Sequence, residues 1–587
     1  MPKTILKNIF GYTKFRPLQE QIISHTLAKK DCVVLMPTGG GKSLCYQIPA
    51  LYFEGCTLVV SPLISLMQDQ VTNLKQLGIN ADVINSTLTP QQQAEAFKRL
   101  FSGETKLLYV SPERLMLDGF LEKLPPLALI AIDEAHCISE WGHDFRESYR
   151  QLNKLKSEFP DVPLMALTAT ATPRVLTDIQ TQLSIPTAPV FKGSFNRENL
   201  LYSIRPKANT YNQILNYIKN QPGQSGIIYC QSRKNVDNLA EKLTKDNIKA
   251  LPYHAGLSTQ IRADHQNKFK YSKIDVIVAT IAFGMGIDKP DVRYVIHQDI
   301  PKSMENYYQE TGRAGRDGLP SECILYYSYA DSKKYSSFIQ QITNPNERKH
   351  AEQKLLQMTA FAYKPLCRRK QLLAYFNEHL DTKDCNNCDI CLNPPKQWDA
   401  TIISQKILSC IYRVKERFGA MMIVDILKGS TQQRIQQFGL HKLSVYGIEK
   451  ELTNQQIRDV IDYLTFTQAI CIKGDTYPVL GLTQKAKPIL FHDEPVIMPV
   501  YTKTKSKTKK HTTIHPSNPE LFEKLRKCRL DCAKKQGVPP FMIFSDKSLH
   551  DMAAKKPKTM LEFLEIHGVG KVKAKSLGDI FLNLINS

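Results

Sequence analysis

Cys32-Val33-Val34-Leu35-Met36-Pro37-Thr38-Gly39-Gly40-Gly41-Lys42-Ser43 is the stretch that decides the fold. An apolar, β-rich run ends in consecutive glycines, and Lys-Ser opens a helical stretch. Glycines let backbone N–H groups approach a triphosphate without side-chain obstruction. Lys42 can neutralise the β- and γ-phosphates, and Ser43 can hold Mg²⁺. The strict pattern has glycine where Met36 stands, but the strand before the loop and the helix after it supply the required context. Downstream, the apolar run Leu129-Ile130-Ala131-Ile132 ends in Asp133-Glu134-Ala135-His136. A carboxylate at such a strand end reaches a shared Mg²⁺, and Glu134 beside it is placed to polarise an attacking water.

Working outward, the runs Thr57–Val60, Leu107–Val110 and Leu164–Leu167 repeat this grammar, each followed by a polar or Gly/Pro-rich loop. Buried strands separated by helices predict a doubly wound parallel α/β sheet with ligands at the carboxyl ends of its strands. The pattern returns in Gly226–Cys230, Val276–Ala279, Tyr294–His297 and Cys323–Tyr327, so two α/β domains stand in tandem. The second carries Gln309-Glu310-Thr311-Gly312-Arg313-Ala314-Gly315-Arg316. Arg313 and Arg316 lie about one helical turn apart and can face one phosphate. A guanidinium stays charged and spreads over γ-phosphate oxygens as charge develops, with Arg316 as the finger and Arg313 as a second contact. A phosphate cradle in one domain and arginines in another place ATP in a cleft that hydrolysis can open and close.

The 587 residues imply about four domains. A net charge of +22 points to a polyanionic partner. No run of 18 apolar residues predicts a membrane span, and residues 1–10 carry no secretory signal. Fourteen cysteines are too sparse for a disulfide scaffold in a chain of this length, which predicts a reducing, intracellular setting. Four of them, Cys367, Cys385, Cys388 and Cys391, cluster; the last three crowd one loop. Four thiolates form a closed tetrahedral Zn²⁺ site of structural type, with an iron–sulfur cluster as the competing reading.

The remaining segments follow from pattern. Residues 346–397 read as helical. From 400 to 490, helices precede a hairpin: Thr453 can cap a helix with Ile457, Val460, Ile461 and Leu464 on one face, and Gly474-Asp475 is a plausible turn. Helices followed by a wing predict a winged helix. Lysines among threonines and serines at 499–517 predict a flexible basic linker. A small helical domain follows, in which Lys571, Lys573 and Lys575 offer phosphate contacts. Trp141, His143, Phe145 and Arg146 bring together an aromatic, imidazole and guanidinium set suited to stacking on exposed bases.

The first 345 residues resemble a superfamily-two helicase motor, and the finer resemblance is to the RecQ family of DNA helicases. Phe15-Arg16-Pro17-Leu18-Gln19 resembles the family's adenine-reading motif, which implies nucleotide contacts from Arg16 and Gln19, with Gln19 at the base edge. The family usually has glycine where Leu18 stands, which implies a stiffer loop. Ser61–Gln70 and Ser111–Arg114 resemble strand-tracking motifs, and Thr168-Ala169-Thr170 the motif linking hydrolysis to DNA. Ala282–Asp288 is similar to the fifth motif, implying Asp288 near the ribose. Residues 141–146 resemble the aromatic-rich loop that couples single-strand binding to hydrolysis. The cysteines resemble the family's zinc-binding subdomain in position and spacing; 400–490 resembles its winged-helix domain, and the C-terminal region is similar to an HRDC module.

The resemblance implies two tandem RecA-like motor domains (1–205 and 206–345), a zinc-binding subdomain (346–398), a winged helix (399–498), the linker (499–517) and an all-α HRDC domain (518–587). It further implies an enzyme that uses ATP, Mg²⁺ and Zn²⁺, translocates 3′-to-5′ on single-stranded DNA, unwinds duplex DNA, and serves recombination, repair and replication. The implied setting is the bacterial cytoplasm, associated with the nucleoid, as a monomer with a single-stranded-DNA-binding protein as a partner. The alternatives are an RNA helicase, or a DNA-stimulated ATPase that acts as a switch or scaffold without strand separation.

Overall fold

The computed structural model describes residues 2–85, 88–117, 119–140, 145–281, 283, 289–473, 479–500 and 517–587. The first sheet has seven strands: β1 (Cys32–Leu35), β2 (Cys56–Val60), β3 (Ala81–Ile84), β4 (Leu107–Val110), β5 (Leu127–Ile132), β6 (Leu164–Thr168) and β7 (Val190–Lys192). They lie in the order β3-β4-β2-β5-β6-β1-β7, all parallel. The second sheet has six: β8 (Leu200–Pro206), β9 (Ser225–Tyr229), β10 (Ala250–Tyr253), β11 (Val276–Ala279), β12 (Val292–His297) and β13 (Ser321–Tyr327). Their order is β10-β11-β9-β12-β13-β8, again all parallel. Because β8 belongs to the second sheet, the passage between sheets falls between Lys192 and Leu200, a few residues before the expected boundary at 205/206.

The nine strands expected from apolar runs are the interior strands of the two sheets. The four that the pattern leaves out, β3, β7, β8 and β10, are the four edges. An interior parallel strand has a neighbour on each side and helices on both faces, so it reads as continuous Val/Ile/Leu. An edge strand tolerates exposure and breaks: β7 is largely exposed, β10 contains Pro252, and β3 contains Asp82. Proline is confined to such edges because it cannot donate to a ladder. Asp82 is buried but held by Arg99 (2.7 Å), Thr105 (2.7 Å) and Lys75 (3.4 Å).

The chain forms two compact units. One comprises Thr359–Cys367 and Ile390–Lys509. Its core gathers Ile403, Ile407 and Ile411 with Ile457, Val460, Ile461 and Leu464, the face expected of the helix Asn454–Phe466. Thr453 caps that helix in a reciprocal box with Gln456. Strands Ile470–Lys473 and Val479–Leu482 pair antiparallel as the wing reading requires, while the expected turn at Gly474-Asp475 lies outside the described residues.

The other unit comprises Met1–Met358, Arg368–Asp389 and Lys510–Ser587, and so holds both sheets and the C-terminal helical domain. That domain is built from Pro519–Gln536, Asp546–Lys555 and Lys571–Asn586 around Leu525, Leu549, Phe563 and Phe581. It packs on the first sheet's N-terminal segment through glycines. The Gly568 N–H donates to the Gly11 carbonyl (3.0 Å), and a Cβ at Gly11 would meet the Val569 backbone at 2.5 Å. It reaches the second sheet's domain through Asp546, which pairs with Arg529 (2.8 Å) and Arg293 (3.5 Å). One sequence expectation is corrected here. Lys573 is not a surface phosphate contact: its ammonium donates to the Met542 and Ile543 carbonyls (2.6 and 3.0 Å), and burial pushes its pKa down to about 8. Lys571 and Lys575 are exposed.

Candidate nucleotide cleft and cysteine centre

β1 delivers the phosphate loop, residues 36–41, to the N-terminus of the helix Lys42–Tyr52. Backbone N–H groups at such a terminus form an anion site. Gly39 and Gly41 adopt φ of 77° and 86°, a region that favours glycine. A Cβ at Gly41 would also sit 2.5 Å from the Gln19 amide nitrogen. That amide is fixed at both ends. Its Nε2 donates to the Gly41 carbonyl (2.9 Å), and its Oε1 accepts from the Arg16 N–H (2.9 Å). The Arg16 guanidinium donates to the Gly39 carbonyl. The segment 16–19 is thereby tied directly to the phosphate loop. Leu18 itself stands at φ 67°, in the left-handed region. The Lys42 ammonium lies back along the loop and donates to the Met36 carbonyl (3.2 Å).

Asp133 follows β5, and its backbone is held from two sides, by the Val60 carbonyl (2.8 Å) and the Tyr149 hydroxyl (2.9 Å). Burial, then the neighbouring Glu134 carboxylate, pushes the Asp133 carboxyl up to about 6. A carboxyl so raised, beside a second carboxylate, favours a nearby cation. Glu134 has a left-handed backbone (φ 49°), and its carboxylate stands 3.3 Å from His136 Nδ1. His136 Nδ1 is also 2.9 Å from the Thr168 hydroxyl, which donates to the Thr170 carbonyl (3.2 Å). A polar chain thus links the acidic strand end to the Thr-Ala-Thr segment.

The arginine turn follows the helix Met304–Thr311. Gln309, Arg313 and Arg316 line one cavity of about 1110 Å³ together with Gln19, Thr38, Lys42, Ser43, Asp133 and Glu134. Arg316 is so close to the loop that a Cβ on Gly39 would meet its Cα at 3.4 Å. Arg313 is only 3% exposed, and its Nε has no hydrogen-bond partner among the described residues. Lys42, Arg313 and Arg316 with a backbone cradle and a buried carboxylate around one cavity fit a triphosphate with a divalent cation.

Sequence reading missed one support of this cavity's rim and one part of its lining. Arg197, in the segment between the sheets, donates to carbonyls of both the phosphate loop and the arginine turn. Lys547, His550 and His567 of the C-terminal domain line the cavity wall. A lone arginine between strands, and residues more than 500 positions from the loop, carry no local signal.

Of the expected base-stacking set, Trp141 and His143 lie outside the described residues, as does Asp288. Phe145 is partly exposed, with the Arg150 guanidinium over its ring (5.1 Å). Arg146 donates to the Pro62 carbonyl (3.1 Å), within the segment 61–70.

The sulfur atoms of Cys367, Cys385, Cys388 and Cys391 all lie within 4.8 Å of one another. Tetrahedral Zn–S bonds of about 2.3 Å place sulfurs roughly 3.8 Å apart, so the cluster fits. The Asn387 N–H donates to the Cys385 sulfur (3.4 Å), the kind of support a coordinating thiolate receives.

Comparison with known proteins settles the family. The chain is 44% identical over 591 residues to the ATP-dependent DNA helicase RecQ of Haemophilus influenzae, covering 99% of this chain and 95% of that protein. It is 42% identical over 589 residues to the ATP-dependent DNA helicase RecQ of Bacillus subtilis, covering 100% and 98%. The chain belongs to the RecQ family. Family models place the family's parts along it: DEAD/DEAH box helicase at 16–179, helicase conserved C-terminal domain at 207–318, RecQ zinc-binding at 329–392, RQC domain at 394–507 and HRDC domain at 518–585. The RecQ zinc-binding model contains all four cysteines, which decides for zinc over an iron–sulfur cluster. The RNA-helicase and scaffold alternatives find no support among these RecQ relatives. No helix among the described residues is long and apolar enough to cross a membrane.

Proposed function

We propose that this RecQ-family chain is an ATP-dependent DNA helicase that translocates 3′-to-5′ on single-stranded DNA and unwinds duplex DNA in recombination, repair and replication. The observation that carries this reading is the single cavity shared by the phosphate loop, the acidic strand end and the arginine turn. Lys42 and the N–H groups of residues 39–41 hold the phosphates, while Arg16 and Gln19 secure the base. Ser43 and Asp133 would hold Mg²⁺, which supplies charge neutralisation on the phosphates when bound. Glu134 orients the attacking water and accepts its proton. Arg316 stabilises the transferring phosphoryl group, with Arg313 and Gln309 beside it. The His136–Thr168 contact carries the state of this site towards the DNA-facing segments, where Trp141, His143, Phe145 and Arg146 stack on bases.

The domain limits stated above, at 345, 398, 498 and 517, belong to this reading, as does the first at 205 once moved to the passage between Lys192 and Leu200. So do a monomeric state, a single-stranded-DNA-binding protein as partner, and residence in the bacterial cytoplasm at the nucleoid. Backbone contacts dominate the grip on DNA, so sequence preference is weak and binding falls with salt. The test is steady-state ATPase with Mg²⁺, alone and with single-stranded DNA or RNA, followed by unwinding of 3′- and 5′-tailed duplexes. Stimulation by DNA with unwinding from the 3′ tail is expected. Stimulation by RNA alone, or stimulation without unwinding, would overturn the proposal.

A further inference from the structure

Residues 193–199 join the two sheets, and Arg197 sits among them. Its Nη1 donates to the Thr38 carbonyl of the phosphate loop (2.5 Å) and reaches the Gly312 carbonyl (3.4 Å). Its Nη2 donates to the Ala314 and Gly315 carbonyls (3.0 and 2.9 Å). One guanidinium therefore spans the phosphate loop and the turn that presents Arg313 and Arg316. All four acceptors are backbone carbonyls, so the group positions main chain rather than pairing with a charge.

Arg197 is itself held from behind. Arg369 donates to the Arg197 carbonyl and to Asn196 Oδ1 (both 2.7 Å), and to the Leu200 carbonyl (2.6 Å). The Glu378 carboxylate accepts from the Phe195 N–H (2.7 Å) and the Ser194 hydroxyl (2.5 Å). Phe195 stacks on Phe376 at 4.3 Å with ring planes 6° apart. A segment so tied has little freedom, and its Arg197 side chain touches both lips of the cleft.

We propose that Arg197 is a positioning residue for ATP hydrolysis, fixing the Arg313–Arg316 turn against the phosphate loop, with Arg369 of the zinc-binding segment holding Arg197 in place. This rests on the reading of Arg316 as the group that acts on the transferring phosphoryl. A planar fork with five donors can bridge two loops in a fixed register; a lysine ammonium is a point charge that cannot. Displacement of a catalytic group by about 1 Å costs on the order of a hundredfold in rate, so the role shows in turnover rather than in ground-state binding.

The experiment uses full-length Arg197→Lys, Arg197→Ala and Arg316→Ala. It measures kcat and KM for ATP with saturating single-stranded DNA, the Kd of a fluorescent ADP, and the gain in affinity when aluminium fluoride is added to ADP as a transition-state mimic. For both Arg197 variants, a kcat lower by about tenfold to a hundredfold is expected. The aluminium fluoride gain should shrink in parallel, while ADP affinity stays within about threefold. Wild-type kcat in both Arg197 variants, alongside a crippled Arg316→Ala, overturns the proposal and leaves the Arg316 reading standing. Wild-type kcat in Arg316→Ala overturns the reading on which it rests. If Arg197→Ala fails to fold, Arg197→Lys decides; loss of ADP affinity by the same factor as kcat in that folded variant overturns the proposal.

Discussion

The two lips of the nucleotide cleft are built by opposite means. The phosphate loop is a local object: strand β1, the glycines and the helix Lys42–Tyr52 are contiguous, and Arg16 and Gln19 arrive from only about twenty residues upstream. The arginine turn is held from afar. Asn199 donates to the Gly315 and Leu319 carbonyls (both 2.9 Å), and Arg197 to Ala314 and Gly315, across more than a hundred positions of chain. The first lip is specified by motif and the second by tertiary structure. Damage to the first should remove chemistry outright; damage to the supports of the second should degrade it.

The largest expected effect breaks the first lip. Lys42→Ala removes the ammonium from the phosphates, and turnover should fall by at least about a thousandfold, in the range associated with lost phosphoryl-charge stabilisation. Affinity for single-stranded DNA without nucleotide should hold within a few-fold, because Lys42 faces the cleft. Retained turnover would remove the nucleotide assignment.

The second lip offers a graded counterpart. Asn199→Ala strips one amide from two carbonyls of the arginine turn. Unmet polar groups of this kind cost about 1–3 kcal/mol, and kcat should fall by roughly tenfold with KM for ATP little changed. A loss as deep as that of Lys42→Ala would erase the contrast between the lips; no loss would show that the turn keeps its place without Asn199.

This contrast also explains what the sequence made legible. Phosphate loop, acidic strand end and arginine turn were readable because each is a short segment with its chemistry in register. The nine interior strands were readable because burial on both faces makes them apolar throughout. β3, β7, β8 and β10 were not, because an edge strand accepts residues such as Asp82, Lys192, Pro252 and Arg205. Arg197 escaped because its acceptors are main-chain carbonyls, and a carbonyl has no residue identity to pattern on. Lys573 misled because burial, not spacing, determines whether a lysine faces solvent.

A smaller effect probes the C-terminal domain that lines the same cavity. Burial alone would push the Asp546 carboxyl up, but Arg529 and Arg293 outweigh it and hold it at about 2. A carboxylate depressed in the folded state contributes stability above its unfolded value of about 3.9, and that contribution fades as pH falls towards the folded value. The shift corresponds to about 2 kcal/mol. Asp546→Asn should therefore be less stable than wild type by roughly that amount at pH 6, and the gap should close between pH 4 and pH 2. Parallel denaturation curves for the two proteins measure it. A gap that persists at pH 2 would mean that Asp546 acts by shape rather than by charge.

The smallest effect tests how local the first lip is. Leu18 sits at φ 67°, where a residue with a Cβ carries about 1–2 kcal/mol of strain. Leu18→Gly relieves that strain but restores about 0.5–1 kcal/mol of unfolded-chain entropy and gives up part of a half-buried side chain that packs against the core of the first sheet. The terms nearly cancel, so stability should change by less than about 1 kcal/mol, a shift of no more than a few degrees in Tm. Activity should be equally insensitive, since Gln19 is held by Arg16 N–H and the Gly41 carbonyl rather than by the conformation before it. KM for ATP within about twofold of wild type is the expected result. A rise beyond about fivefold would show instead that the strained Leu18 presets the Gln19 amide, and that even the motif-coded lip depends on stored backbone strain.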